Sequence, residues 1–242
     1  MSRLWVKICA NTSLADAQHA IRAGADAVGF VFASESKRRV GAEQVAAITP
    51  HLPADAEKLG VFVEQTVPEI VEIVRATGLT GVQMYAPNAD HATHSAAQLR
   101  ESLRGLHRRL SIVQALHFNA ENQDNFENGI RQLATNQTID AILIDSRVFG
   151  AMGGTGIAFD WHAARQALMQ AAAPRMHLIV AGGLTPTNVA HAVHTLIPWG
   201  VDVASGVEQA AGVKDPRKVG QFIAAARQAD TVARKTAMPA QA

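Results

Sequence analysis

The sequence predicts an α/β chain folded as a single-domain (β/α)8, or TIM, barrel, and three observations carry that prediction. Short apolar runs alternate with longer segments of helical periodicity along the whole chain, eight such strand–helix pairs can be counted, and no composition shift or linker divides them. Parallel strands joined through helices make right-handed crossovers, and eight of these units close into a barrel of about 250 residues, close to the length of this chain. An open doubly wound sheet is the competing arrangement. It fits less well, because no Gly-x-Gly-x-x-Gly turn follows the first strand and the glycine-rich turns come late. The barrel is expected over residues 1–230, with residues 231–242, small and polar, as a frayed tail.

The first strand, Trp5-Val6-Lys7-Ile8-Cys9, alternates, so Trp5, Lys7 and Cys9 share one face. Asn11, Thr12 and Ser13 offer a cap for a helix over 14–23, stopped by Gly24. The run over 27–32 is too short for a helix and reads as a strand buried on both faces. Next come a helix over 43–48 ended by Pro50 and Pro53, a strand over 59–63, a helix over 67–77 and a strand over 81–84. A helix over 92–106, a strand over 110–116, a helix over 122–134 and a strand over 141–145 continue the alternation. The last third gives a helix over 160–171, a strand over 177–181, a helix over 186–196, a strand over 201–204 and a helix over 215–229.

Composition narrows the function classes. Lys+Arg number 22 against 21 Asp+Glu, a net charge of +1, with no basic run that would track a phosphate backbone, so nucleic acid is a poor partner. The single cysteine excludes an intramolecular disulfide and a multi-cysteine metal site. With Met1-Ser2-Arg3 leading directly into a strand pattern and no signal peptide, the expected location is a reducing cytoplasm. No apolar run approaches the roughly 18 residues a bilayer crossing needs, so no membrane partner is expected.

Barrel chemistry sits at the C-terminal ends of strands. There the sequence places Cys9, beside Lys7 on the same face, and Asp145, a carboxylate finishing the hydrophobic Ile142-Leu143-Ile144. Each also has a plain structural reading: a lone cysteine is usually a small buried hydrophobe, and an aspartate at a strand end is often a cap or salt-bridge partner. Gly182-Gly183 follows the seventh strand and Ser205-Gly206 the eighth, the two turns where barrels commonly cradle a phosphate, although glycine also simply permits tight turns. The glycine-rich stretch over 149–156 reads as a mobile lid; it lacks the Lys-Ser/Thr ending of a P-loop.

Several segments carry a family resemblance. They are Val6-Lys7-Ile8-Cys9, the run from Gly24 through Phe32, Gly60-Val61-Phe62-Val63, Gly153-Gly154-Thr155-Gly156 with Phe159-Asp160-Trp161, Ala181-Gly182-Gly183-Leu184-Thr185-Pro186, and the run from Trp199 through Glu208. Together, over residues 3–228, they resemble the phosphoribosylanthranilate isomerases of tryptophan biosynthesis. The resemblance implies an aldose–ketose type isomerase that carries out an Amadori rearrangement of a phosphorylated aminosugar, with neither a metal nor an organic cofactor. It implies Cys9 as general base, Asp145 as general acid and Arg38 as the ligand of the anthranilate carboxylate. Backbone at Gly182, Gly183, Ser205 and Gly206 would hold phosphate, and Asp202 would contact the sugar or position the catalytic groups. A monomer or homodimer is expected. For this chemistry the carboxyl needs tuning upward and the thiol downward, the latter by Lys7.

Three departures from the family pattern stand at the catalytic end. Ala10 follows the cysteine where glycine is usual, Tyr85 stands where histidine is expected, and Ala204 replaces a serine. They keep open two alternatives, a diverged paralogue acting on another phosphosugar and a non-catalytic barrel that only binds a phosphate ligand. The related sugar isomerase of histidine biosynthesis fits less well, because an aspartate would end the first strand where Cys9 stands.

Overall fold

The computed structural model describes residues 3–86, 88–105, 110–117, 123–135, 137–145, 161–170 and 176–237. Its main sheet is a closed barrel of β1 (Trp5–Ile8), β2 (Ala27–Val31), β3 (Glu57–Phe62), β4 (Gly81–Tyr85), β5 (Ser111–His117), β6 (Ala141–Asp145), β7 (His177–Val180) and β8 (Gly200–Val203), in that order. All neighbours are parallel, and β8 closes on β1 through the pairs Trp5↔Gly200 and Lys7↔Asp202. Around it run α1 (Leu14–Arg22), α2 (Ala42–Ile48), α3 (Val67–Thr77), α4 (Ala89–Ser102), α5 (Gln123–Ala134), α6 (Trp161–Gln170), α7 (Val189–Leu196) and α8 (Pro216–Ala237). This is the TIM barrel expected from the alternation.

The period of two sorts the strand residues into two cores. Val6, Ile8, Val28, Phe30, Ile142 and Ile144 point outward and join the apolar stripes of the helices. Trp5, Ala27, Leu59, Val113, Leu143 and Ile179 point inward and fill the barrel. Burial on both faces is why these strands read as near-continuous apolar runs.

Local chemistry sets the helix ends. Thr66 and Glu69 form a reciprocal capping box at the start of α3, and Gly78, with φ +66°, ends it in the left-handed region. The α4 helix begins three residues earlier than its apolar pattern, because the Asn88 side chain accepts from the His91 N–H at 2.8 Å. The α8 helix runs to Ala237, past the end expected near residue 229. Polar tethers hold it: Asp230 Oδ2 accepts from Leu4 N at 3.1 Å, Asp230 Oδ1 accepts from Arg234 Nε at 2.6 Å, and Arg227 pairs with Asp26 at 2.7 Å. A small antiparallel hairpin, β9 (Glu208–Ala210) with β10 (Val213–Lys214), follows β8 and was not foreseen. Strands of three and two residues are too short to show an alternation.

Candidate active site

The pleat of β1 sends Lys7 and Cys9 into the barrel near its C-terminal end, and the parallel register sets Asp202 of β8 directly beside Lys7. Lys7 Nζ donates to Asp202 Oδ2 at 2.8 Å and to Gln83 Oε1, on β4, also at 2.8 Å. All three side chains are buried. Gly29 of β2 leaves room for this pair: a Cβ there would lie 2.7 Å from Cys9 Sγ and 2.8 Å from Lys7 Cε. The signal was present in the sequence, since a glycine inside a strand often marks close approach of another group.

Burial disfavours the Lys7 ammonium, but the charges of Asp202 and Cys9 more than offset this and hold it above its ordinary value. For Cys9, burial pushes the thiol up, Lys7 pulls it down and Asp202 pushes it up again, leaving it above its ordinary value. The expected lowering of the thiol by Lys7 is thus present as one influence and outweighed by desolvation. Tyr85, at the end of β4, donates from its hydroxyl to Asp145 Oδ2 at 3.1 Å. Burial first and then the charges of Asp145, Asp202 and Cys9 raise the phenol well above its ordinary value. Cys9 packs with Val31, Ala33 and Val61 in a small cluster that Tyr85 and Ala204 lie against. The Gln83 that Lys7 shares with Asp202 approaches the same phenol, so Cys9, Asp145 and Asp202 share one mouth of the barrel.

Arg38, in the turn after β2, is engaged differently from the expectation. Its Nε and Nη2 bind the Glu208 carboxylate in a fork, at 2.8 and 2.7 Å, and Lys214 Nζ reaches the same carboxylate at 3.1 Å. Burial pushes Glu208 up, yet hydrogen bonds and charge from Arg38 and Lys214 hold it below its ordinary value. Lys214 Nζ also donates to the Ala204 carbonyl, just past the end of β8, at 3.2 Å, which sets the Glu208 carboxylate and its Arg38 fork at the same mouth. Glu208 and Lys214 were missed as site residues because the hairpin that carries them was not foreseen.

The two glycine turns meet. Gly182 and Gly183 adopt φ of +81° and +64°, conformations that L side chains rarely take, and Asn188 Nδ2 pins the turn by donating to the Gly183 carbonyl at 3.0 Å. Gly206 lies so close to the Leu184 carbonyl that any Cβ would collide with it, which brings the Ser205-Gly206 turn against the Gly182-Gly183 turn. Ala10, next to Cys9, has φ +61°, a left-handed conformation that disfavours any residue with a Cβ. The 149–156 loop and Asp160 lie outside the described residues. A cleft of roughly 470 Å³, lined by Val63, Gln65, Tyr85, His91 and His94 among others, opens to one side between the ends of β3 and β4 and shares only Tyr85 with this cluster. Among the described residues, no group of three or more His, Cys, Asp or Glu side chains is placed to hold a metal ion, and no helix is long and apolar enough to cross a membrane.

A thiol, a carboxylate and a two-turn glycine cradle at one end of a closed barrel are the parts a sugar-phosphate isomerase needs, and comparison with known proteins decides among such enzymes. The family model for N-(5'-phosphoribosyl)anthranilate isomerase matches residues 6–225. This chain belongs to the N-(5'-phosphoribosyl)anthranilate isomerase family. Similar relatives bearing that name include one from Rubrobacter xylanophilus, 36% identical over 222 residues that cover 92% of this chain and 98% of the relative. Another, from Pseudomonas fluorescens, is 38% identical over 224 residues, covering 93% and 96%. The crystal structure of the enzyme from Thermotoga maritima superposes with a TM-score of 0.78 at 29% identity, covering 93% of this chain and 99% of that one. A phosphoribosyl anthranilate isomerase in complex with reduced 1-(o-carboxyphenylamino)-1-deoxyribulose 5-phosphate matches with a TM-score of 0.75 at 29% identity, over 93% and 99% of the two chains. As a member of this family the chain is an isomerase.

Proposed function

We propose that this chain converts N-(5'-phosphoribosyl)anthranilate to 1-(2-carboxyphenylamino)-1-deoxyribulose 5-phosphate, with Asp145 as general acid and Cys9 as general base. The observation that carries the reading is the gathering of Cys9 and Asp145 about Tyr85 at the mouth of a family barrel, with Asp202 joined to them through Lys7 and Gln83. Asp145 gives a proton to the ribose ring oxygen as the bond from that oxygen to C1 breaks, and the anthranilate nitrogen lone pair forms an iminium. The Cys9 thiolate removes the C2 proton and the electron pair moves into the iminium, and the resulting enolamine then takes a proton at C1 and loses one from its C2 hydroxyl to give the ketose. A buried thiol is a reluctant anion, but the iminium is a cation formed beside it, and it supplies the charge that favours ionisation.

The phosphate is held by backbone N–H groups of the Gly182-Gly183 and Ser205-Gly206 turns. Arg38 takes the anthranilate carboxylate, exchanging part of its fork with Glu208 for a second carboxylate. Asp202 Oδ1, buried and without a hydrogen-bond partner of its own among the described residues, accepts from a sugar hydroxyl. The chain works in the cytoplasm as a monomer or homodimer.

Steady-state turnover of phosphoribosylanthranilate, followed by loss of anthranilate-type fluorescence, tests the reading. The wild type is expected to turn over, and Cys9→Ser and Asp145→Asn to lose turnover. A wild type without turnover overturns the activity, and full turnover in either variant overturns that residue's role.

A further inference from the structure

The interior of the barrel carries a polar chain that joins its two sides. Lys7 Nζ donates to Gln83 Oε1 at 2.8 Å, Gln83 Nε2 approaches the Tyr85 hydroxyl at 3.5 Å, and that hydroxyl donates to Asp145 Oδ2 at 3.1 Å. The direction is set by chemistry. An ammonium has donors only, so the Gln83 carbonyl oxygen faces Lys7 and its NH2 faces Tyr85. The hydroxyl, met by a donor on one side, spends its own hydrogen on the carboxylate. Each bond polarises the next, from the buried ammonium on β1 to the carboxyl on β6. His117, paired with Asp145 across β5 and β6, lies against the Tyr85 ring in a tilted arrangement with centroids 5.4 Å apart.

We infer that Tyr85 is a positioning residue for the reaction: its hydroxyl orients the Asp145 carboxyl and donates to the negative charge that grows there as the proton leaves for the ring oxygen. The inference rests on the role proposed for Asp145 and extends it to a residue that departs from the usual family pattern. Because burial and the neighbouring carboxylates keep the phenol protonated, it remains a donor across the working pH range. The bond is directed at charge present late in the step, so its loss falls on kcat and spares KM.

The chain contains a single tyrosine, so every fluorotyrosine incorporated during expression reports on position 85 alone. In the full-length protein, the one fluorine resonance is expected to move in Asp145→Asn and to stay in Asp55→Asn, a surface control at the other end of the barrel. Tyr85→Phe, which removes only the hydroxyl, is expected to lower kcat about 10- to 100-fold with KM changed less than about twofold. Tyr85→His, which restores a ring N–H donor, is expected to recover part of the loss. A resonance indifferent to Asp145→Asn, or a Tyr85→Phe enzyme with wild-type kcat or with only KM raised, overturns the inference. A wild type that does not turn over overturns the proposed activity, and the fluorine measurement then still decides whether the contact exists.

Discussion

The two ends of this barrel are lined by inward residues of the same eight strands, spaced by the same alternation, and they carry opposite chemistry. At the N-terminal end the inward positions hold an aromatic stack. Trp199 lies 5.2 Å from the Trp5 ring and 4.2 Å from the His177 ring, and the Trp5 indole donates to Glu57 at 3.3 Å. At the C-terminal end they hold a lysine, a thiol, carboxylates and a phenol, knitted by hydrogen bonds. A stack of rings packs one end with few polar partners, Trp5 buried beneath the half-buried Trp199 and the exposed His177. Buried ionisable groups are costly unless each meets a partner, and a protein that keeps several together keeps them for chemistry. The comparison separates stability from function along a single axis, and substitutions at each end test the separation.

The largest effect is expected at the C-terminal end. Cys9→Ser and Asp145→Asn should each lower kcat/KM by about 100- to 10,000-fold while leaving the thermal midpoint near wild type, as steady-state kinetics and calorimetry together report. At the N-terminal end the reverse is expected: Trp5→Ala should cost about 3–5 kcal/mol in denaturant unfolding and leave kcat unchanged below the transition. Lys7 stands between the two and breaks the division. Lys7→Met leaves Asp202 buried without its cation, at a cost of about 3–5 kcal/mol. It also removes the strongest influence opposing the rise of the thiol, so the pH midpoint for alkylation of Cys9, the chain's one cysteine, should move further up. An unchanged midpoint would remove Lys7 from any role in tuning the thiol.

A smaller effect follows from the thiol itself. The folded Cys9 keeps its proton at a pH where the unfolded thiol has lost it, so the unfolded chain binds fewer protons there. Stability should therefore fall as pH rises above about 8.5, the ordinary thiol value, and Cys9→Ser should remove that slope. The smallest is at Ala10, whose left-handed backbone is strained by its Cβ; Ala10→Gly should raise stability by about 1 kcal/mol in urea unfolding.

How much of this was legible beforehand depends on the residue. Cys9 and Asp145 could be read because each ends an apolar strand, and Gly182-Gly183 and Ser205-Gly206 because each follows one of the last two strands. Gln83 could not, because its meaning lies in a partner 76 positions away. Glu208 could be seen as part of a motif, but its hold on Arg38, 170 positions distant, could not.

By itself the order of residues determined the eight strand–helix pairs of the barrel, though not the β9–β10 hairpin, and which groups stand at strand ends. Those properties depend on periodicity and on neighbours close along the chain. Only barrel closure decided that Lys7 is shared by Asp202 and Gln83, that the Cys9 thiol is raised, that Arg38 is forked onto Glu208, and that Tyr85 holds Asp145. Each of these depends on Coulomb, hydrogen-bond and desolvation energies between residues far apart in the chain, and those energies exist only once β8 has paired with β1 and water has been expelled from the interior.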